Sequence, residues 1–191
     1  MIEADNPVTA AAQADFCAFC GAQTRYNIGV SEQRIPTLYE WAGGSEAFER
    51  LVRTFYKLTL QDDILRPYFE HMPDSHKHHV ALWLIEVFGG PKEYSKLYGA
   101  MKGHPHMIRQ HLQAGITEEA RVRWIQLMQQ AADIEKLPGD PEFRSAFVAY
   151  FEWGTRMNQV FVNGVPVPDE SPVPTWGWGE RKPYAGGKPV V

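Results

Sequence analysis

Apolar residues recur every three or four positions through most of the chain between residues 36 and 163, and this spacing predicts amphipathic helices. Five helices follow from it, and each has a residue that can begin it. These starting residues are Ser45, Asp74, Pro105, Thr117 and the pair Asp140-Pro141. Gly89-Gly90-Pro91 ends the second helix. No segments show the alternation of a strand pair, so the sequence predicts an all-α domain.

The segments on either side of these helices lack the helical period. Residues 1–35 are expected to form an N-terminal arm, and residues 164–191, which are rich in proline and glycine, an extended C-terminal tail. The tail carries three large aromatic residues, Trp176, Trp178 and Tyr184. Rings of this size favour a tail that lies against the domain rather than in solvent.

Composition and charge argue against two classes of partner. The 191 residues are 44% hydrophobic and 13% aromatic, as in globular domains. The net charge of −4, without a long basic run, argues against nucleic acid, whose phosphates require a basic face. The longest apolar stretch, VALWLIEVFGG, contains Glu86 and is too short to cross a bilayer. The acidic first residues do not resemble a secretory signal, so a cytoplasmic protein is expected.

The only two cysteines, Cys17 and Cys20, form a CxxC pair in the arm. A structural zinc site needs about four ligands, and the sequence holds no second cysteine pair. Gly21 follows Cys20 where a haem-attachment motif would have histidine. Three interpretations stay open: a pair without a chemical role, a metal site shared across a homodimer, and a redox switch.

All seven histidines lie between residues 71 and 111, and two of them, His76 and His111, fall on apolar helical faces. One such histidine is more often a core residue with a single hydrogen bond, but two on separate helices favour a binding site. Too few other ligands accompany them to hold a bare zinc or di-iron centre. One histidine beside an aromatic, methionine-lined pocket suits a metal that brings its own equatorial ligands, and haem iron is such a metal.

The aromatic pair Phe55-Tyr56 is followed, across a polar segment that contains Pro67, by another aromatic residue, Phe69. One interpretation is that the rings of Tyr56 and Phe69 face a flat object between them. A haem group would be an object of this shape.

Several motifs, in order and correctly spaced, resemble those of the second group of truncated haemoglobins. The segment EVFGGPKEYSKLYGAMKGHPHMIRQH has GGP followed by tyrosine, then Gly-His-Pro and a final histidine. FY at residues 55–56, LRPYF at 65–69 and RW at 123–124 fit the same pattern, as does DPEFRSAFVAYFEWGTR near the end of the domain. The resemblance covers residues 36–163 and implies a shortened globin, a two-over-two helical sandwich around haem.

The resemblance also implies roles for single residues. His111 would be the proximal iron ligand of a non-covalently held haem b, with its second ring nitrogen bonded to a backbone carbonyl near Met107. Trp124, Tyr56 and His76 would stabilise a diatomic ligand such as O₂, NO or CO on the distal side. The further residues implied to line the haem pocket are Phe69, Val80, Trp83, Leu84, Met107, Ile108, Ile116, Met128 and Phe147.

Three functional hypotheses follow. Three donors beside the ligand imply slow release, which favours redox chemistry or scavenging of NO or peroxide over oxygen transport. A separate reductase would supply the electrons, since the sequence shows no flavin or nicotinamide domain. The second hypothesis is a haem-based sensor or redox switch that acts through Cys17 and Cys20 or through the tail. The third is a helical interaction module that does not bind haem.

Overall fold

The computed structural model describes residues 34–180 and residue 182. The helices within these residues are α1 (Leu38–Ala42), α2 (Gly44–Thr59), α3 (Arg66–Phe69), α4 (Asp74–Val87), α5 (Glu93–Tyr98), α6 (Gly103–His111), α7 (Glu118–Ile134) and α8 (Pro141–Val162). This part of the chain contains no strand, so the predicted all-α fold class is confirmed. None of the helices in the described range is long and apolar enough to cross a membrane.

Two of the predicted helix starts are confirmed. Thr117 accepts a hydrogen bond from the Ala120 amide at the beginning of α7, at 3.1 Å. Asp140 accepts one from the Phe143 amide at the beginning of α8, at 3.0 Å. Pro141 follows as the first residue of α8, where a missing N–H removes no helical hydrogen bond.

Ser45 does not cap the helix that it was expected to begin. α2 starts at Gly44, after Gly43 in a left-handed conformation with a φ of 103°. Glycine adopts this φ without a steric penalty, so α1 and α2 meet in a sharp turn that uses no side-chain cap. The Ser45 hydroxyl lies instead 3.0 Å from the Tyr39 hydroxyl.

Asp74 does not cap α4 either. The residue before α4 is Pro73, and Asp74 is the first residue inside the helix. Its carboxylate accepts a hydrogen bond from Lys77, one turn later, at 3.0 Å. α6 begins at Gly103 rather than at Pro105, which lies in the first turn of that helix.

Three short helices were not predicted. α1, α3 and α5 contain 5, 4 and 6 residues, too few for a helical period to be recognised. α1 does carry a local signal, because Thr37 and Glu40 form a capping box at its start. That pair of residues, spaced by three, could have identified α1 in the sequence.

The four longest helices form two pairs. α2 packs against α4, α7 packs against α8, and α2 joins the two pairs through its contact with α7. Fully buried rings fill the interior, with Phe88 stacked on both Phe48 and Phe147 at centroid distances of 5.5 and 5.7 Å. The arrangement agrees with the two-over-two sandwich that the resemblance implies.

The described part of the C-terminal tail lies against the domain. The Trp176 indole donates a hydrogen bond to the Ala146 carbonyl of α8 at 3.0 Å. The Trp178 indole donates to the Pro36 carbonyl, just before α1, at 2.7 Å. Tyr184 lies outside the described residues, as does the whole N-terminal CxxC pair.

Candidate functional site

His111, the last residue of α6, has one ring nitrogen committed to the backbone. Its Nδ1 donates to the Met107 carbonyl, one turn earlier, at 2.8 Å. A carbonyl oxygen can only accept, so Nδ1 carries the proton, and in a neutral ring Nε2 keeps a free lone pair. This arrangement orients a histidine as a metal ligand. The predicted bond to a carbonyl near Met107 is confirmed, whereas iron ligation stays a prediction.

Tyr56 on α2 and His76 on α4 form a polar pair. The Tyr56 hydroxyl is hydrogen-bonded to Nδ1 of His76. Burial raises the pKa of Tyr56 well above its usual value, so the hydroxyl keeps its proton. Burial lowers the pKa of His76, and the nearby rings of His111 and His79 add to that effect. The pair therefore links α2 to α4 through one hydrogen bond, with both side chains uncharged near neutral pH.

The indole of Trp124 on α7 is held by rings of two neighbouring helices. Its centroid lies 5.1 Å from the ring of Phe55 on α2 and 5.3 Å from that of Phe151 on α8. The Trp124 N–H makes no hydrogen bond to another described residue. Every fully buried side-chain nitrogen or oxygen in the described part of the chain does make one, so the Trp124 N–H is not fully buried. This N–H is therefore not enclosed by those residues, and it can donate to a group in the adjoining space.

Phe69 and Tyr56 contact each other directly. Their ring centroids are 5.3 Å apart and the rings are nearly perpendicular, at 86°. The interpretation that a flat object lies between these two rings is wrong, because edge-to-face contact at this distance leaves no room for one. Both rings can still border one pocket, and contact of Phe69 with haem stays a prediction.

The other residues predicted to line the pocket fall into two groups. Those that are only partly buried, on or near α4 and α6, are Val80, Met107 and Ile116. Those that are buried in the core are Trp83, Leu84, Ile108, Met128 and Phe147. The first group keeps apolar surface that a cofactor can contact, whereas the second lies in the core, and contact of either group with haem stays a prediction. Trp83, for example, donates to the Tyr150 hydroxyl at 2.6 Å, which fixes its indole toward α8.

The sequence analysis gave no site role to three residues that shape this region. Phe55 packs edge-on against both Phe69 and Trp124, and Phe151 supports Trp124 from α8. The Lys77 ammonium lies 5.7 Å from the centre of the Tyr56 ring. Both phenylalanines are buried in the core, but the helical period of the sequence contains no information about which ring each one contacts.

The residues at this site fit haem better than a bare metal ion. No three histidine, cysteine, aspartate or glutamate side chains of the described residues come together as metal ligands. One imidazole nitrogen on α6 is available, and partly buried apolar side chains lie on neighbouring elements. A haem iron already has four equatorial ligands and needs only one such histidine.

Comparison with known proteins gives one family and consistent relatives. The family model described as bacterial-like globin matches residues 37–152. The group 2 truncated haemoglobin YjbI of Bacillus subtilis (strain 168) is 30% identical over 97 residues, which are 51% of this chain and 70% of that protein. The group II truncated haemoglobin of Bacillus anthracis is similar in structure, with a TM-score of 0.55, 29% identity, and coverage of 67% of this chain and 92% of that one. For a truncated haemoglobin structure from Bacillus subtilis, the TM-score is 0.56, the identity 28%, and the coverage 64% and 98%.

Proposed function

Because this chain belongs to the bacterial-like globins, as a truncated haemoglobin of the second group, it is a haem protein for diatomic ligands, and we propose that it uses them for redox chemistry or scavenging of NO or peroxide. Transport of O₂ is the less suitable role. The observation that carries the proposal is the Trp124 N–H, which belongs to an indole packed against Phe55 and Phe151 and has no acceptor among the described residues.

We infer that His111 holds haem b as its proximal residue without a covalent link. The proton on Nδ1 is fixed by the Met107 carbonyl, so Nε2 is the nitrogen that would bind the iron. Cys17 and Cys20 lack the following histidine of a covalent attachment motif, which supports non-covalent binding. When bound, haem would supply an iron that binds a diatomic ligand, and with O₂ it would place a partial negative charge on the outer oxygen, which a donor can stabilise.

The side chains that can act on a ligand at this position are those of Trp124, Tyr56 and His76. Trp124 can only donate, because an indole N–H has no accepting lone pair. The Tyr56 hydroxyl keeps its proton but is already bonded to His76, so its help depends on that partner. A hydrogen bond to a charged group contributes about 1.5–3 kcal/mol. One such bond would slow ligand release by about tenfold or more.

Slow release favours a ligand that is consumed at the site over one that is delivered elsewhere. The similar structure from Bacillus subtilis is described as an oxygen-avid haemoglobin, which supports the same expectation for this chain. A separate reductase would return electrons after each turnover. Conversion of NO and O₂ into nitrate requires one electron for each nitrate, so turnover depends on that donor.

The proposal is tested by mixing the haem-loaded, reduced protein with O₂ and then with NO. We expect NO to disappear within the mixing time and nitrate to appear in equal amount, with turnover sustained when an electron donor is added. The haem-free protein is the control, and a parallel experiment replaces NO with hydrogen peroxide. If neither NO nor peroxide is consumed faster than in the control, the scavenging role is wrong.

The CxxC pair supports an alternative function, a haem-based sensor or redox switch. A variant that lacks both cysteines distinguishes this alternative from the scavenging role. In the reduced protein, Cys17→Ser with Cys20→Ser should leave the O₂ dissociation rate within about twofold. The pair precedes the first predicted helix, and substitutions outside a core usually change free energies by less than about 0.5 kcal/mol. Stopped-flow displacement of O₂ by CO measures this rate. An oxidant-dependent change in affinity that this variant abolishes would favour the switch instead.

A further inference from the structure

The C-terminal tail attaches directly to α6, the helix that ends at His111. We refer to residues 169–178 as the strap. The backbone N–H of Ser171 donates to the Met101 carbonyl at 2.8 Å, and its hydroxyl lies 3.0 Å from Nδ1 of His104. The strap is therefore bonded to the first turn of α6 and to the residues just before it.

Two acidic residues of the strap lie beside cations at α6, namely Lys102 immediately before the helix and Arg109 within it. Lys102 is 3.1 Å from the Glu170 carboxylate and donates to the Asp169 carbonyl at 3.2 Å. Arg109, near the other end of α6, lies 3.7 Å from the Asp169 carboxylate. Each exposed pair contributes little by itself. Together they attach both ends of one short helix to the strap.

α6 has few other attachments among the described residues. Its main helical neighbours are α5 and α8. The helix has nine residues, no side-chain cap at Lys102, and three buried positions, Gly103, Pro105 and Ile108. A helix of this length is marginal by itself in water, so contacts from outside determine where it lies.

The rest of the strap is fixed to the body of the domain. Val173 is buried in the core, and the Trp176 backbone N–H donates to the Val87 carbonyl at the end of α4, at 2.7 Å. Trp178 is bonded to the Pro36 carbonyl. The strap is thus bonded to the core of the domain through one part and to α6 through the other. It therefore restrains the position of α6 relative to the core helices.

We propose that the strap is a positioning element for the proximal histidine. In it, Asp169, Glu170 and Ser171 hold α6 and so limit where the His111 imidazole can lie. This inference rests on the proposed function, in which His111 ligates the iron. It also goes beyond the family, because the strap lies outside residues 37–152, which the family model matches.

The strap would act by restricting motion of α6 as a unit. A short helix moves nearly rigidly, so bonds at its first turn also restrain His111 at its last residue. His104 is held from the inside as well, since its ring lies 5.7 Å from that of Trp83. Release of the strap should therefore loosen α6, whereas α7, which is not among the main helical neighbours of α6 in the described part of the chain, should keep its stability.

The test compares Asp169→Ala, Glu170→Ala and Ser171→Ala, combined in one variant, with the parent full chain. In the haem-free proteins, we expect the amides of α6 to exchange hydrogen about tenfold faster in the variant, while those of α7 are unchanged. In the haem-loaded proteins, the rate of haem transfer to apomyoglobin should rise, and the iron–histidine stretching band of the ferrous form should shift or broaden.

Glu46→Ala is the matched control, because it removes an exposed ion pair, with Arg50 on α2, that involves neither the strap nor α6. It should leave α6 exchange and the iron–histidine band unchanged. Unchanged α6 exchange in the triple variant would overturn the proposal, and so would an equal rise in α6 and α7. If the parent protein fails to bind haem, the proposed function fails, but the exchange experiment on haem-free protein still tests the strap.

Discussion

The His111→Ala variant is expected to lose haem or to bind it only loosely. His111 has the single imidazole that combines a fixed Nδ1 proton, a free Nε2 and a place on the helix that the strap holds. Loss of an outer partner of a metal ligand typically weakens metal binding by about 10–100-fold, so loss of the ligand should weaken it by at least a hundredfold. The measurement is the rate of haem transfer to apomyoglobin, followed in the Soret region.

His106→Ala is the matched control, since it makes the same change on the same helix. His106 stacks on Tyr98 at a centroid distance of 4.3 Å and is not expected to touch the iron. A second variant, His111→Gly, should regain haem when free imidazole is added, which separates a lost ligand from a misfolded helix. Tight haem retention and an unchanged ferrous spectrum in His111→Ala would show that another residue is the ligand.

The Trp124→Phe variant is expected to release O₂ at least about tenfold faster, the equivalent of about 1.4 kcal/mol. Phenylalanine keeps a ring between Phe55 and Phe151 but removes the N–H that the structure leaves without an acceptor among the described residues. The change is therefore mainly the loss of one donor. Stopped-flow displacement of O₂ by CO measures the dissociation rate.

Tyr56→Phe and His76→Ala provide the comparison. Tyr56→Phe should change the rate less than Trp124→Phe, or could even slow release, because the hydroxyl is shared with His76 and its loss frees that ring. His76→Ala should mainly speed ligand entry, since it shortens a partly buried side chain in the first turn of α4. If Trp124→Phe leaves the rate unchanged while His76→Ala raises it most, the distal histidine is the principal donor and this order is wrong.

Some features of this protein follow from short stretches of sequence. The caps at Thr117 and Asp140 and the bond from His111 to Met107 join residues three or four positions apart. Interactions of this range depend on the local helix, so the spacing of residue types is enough to predict them. The incorrect prediction of a cap at Ser45 also concerns a local interaction. The left-handed conformation of Gly43 allows α2 to begin at Gly44 without a side-chain cap.

Only the tertiary structure determined which side chains share a site. Tyr56 is hydrogen-bonded to His76, which lies 20 positions later in the chain. The Phe69 ring packs directly against the Tyr56 ring, with no gap between them. The bond between His104 and Ser171 spans 67 positions, between two segments that no local pattern relates. The helical period determines which face of a helix turns inward, and capping residues determine where the helix begins. Both can be predicted from sequence because they act within one or two turns. Contacts between helices, and the attachment of the strap to α6, depend on how those faces pack, and packing is decided by the whole core at once.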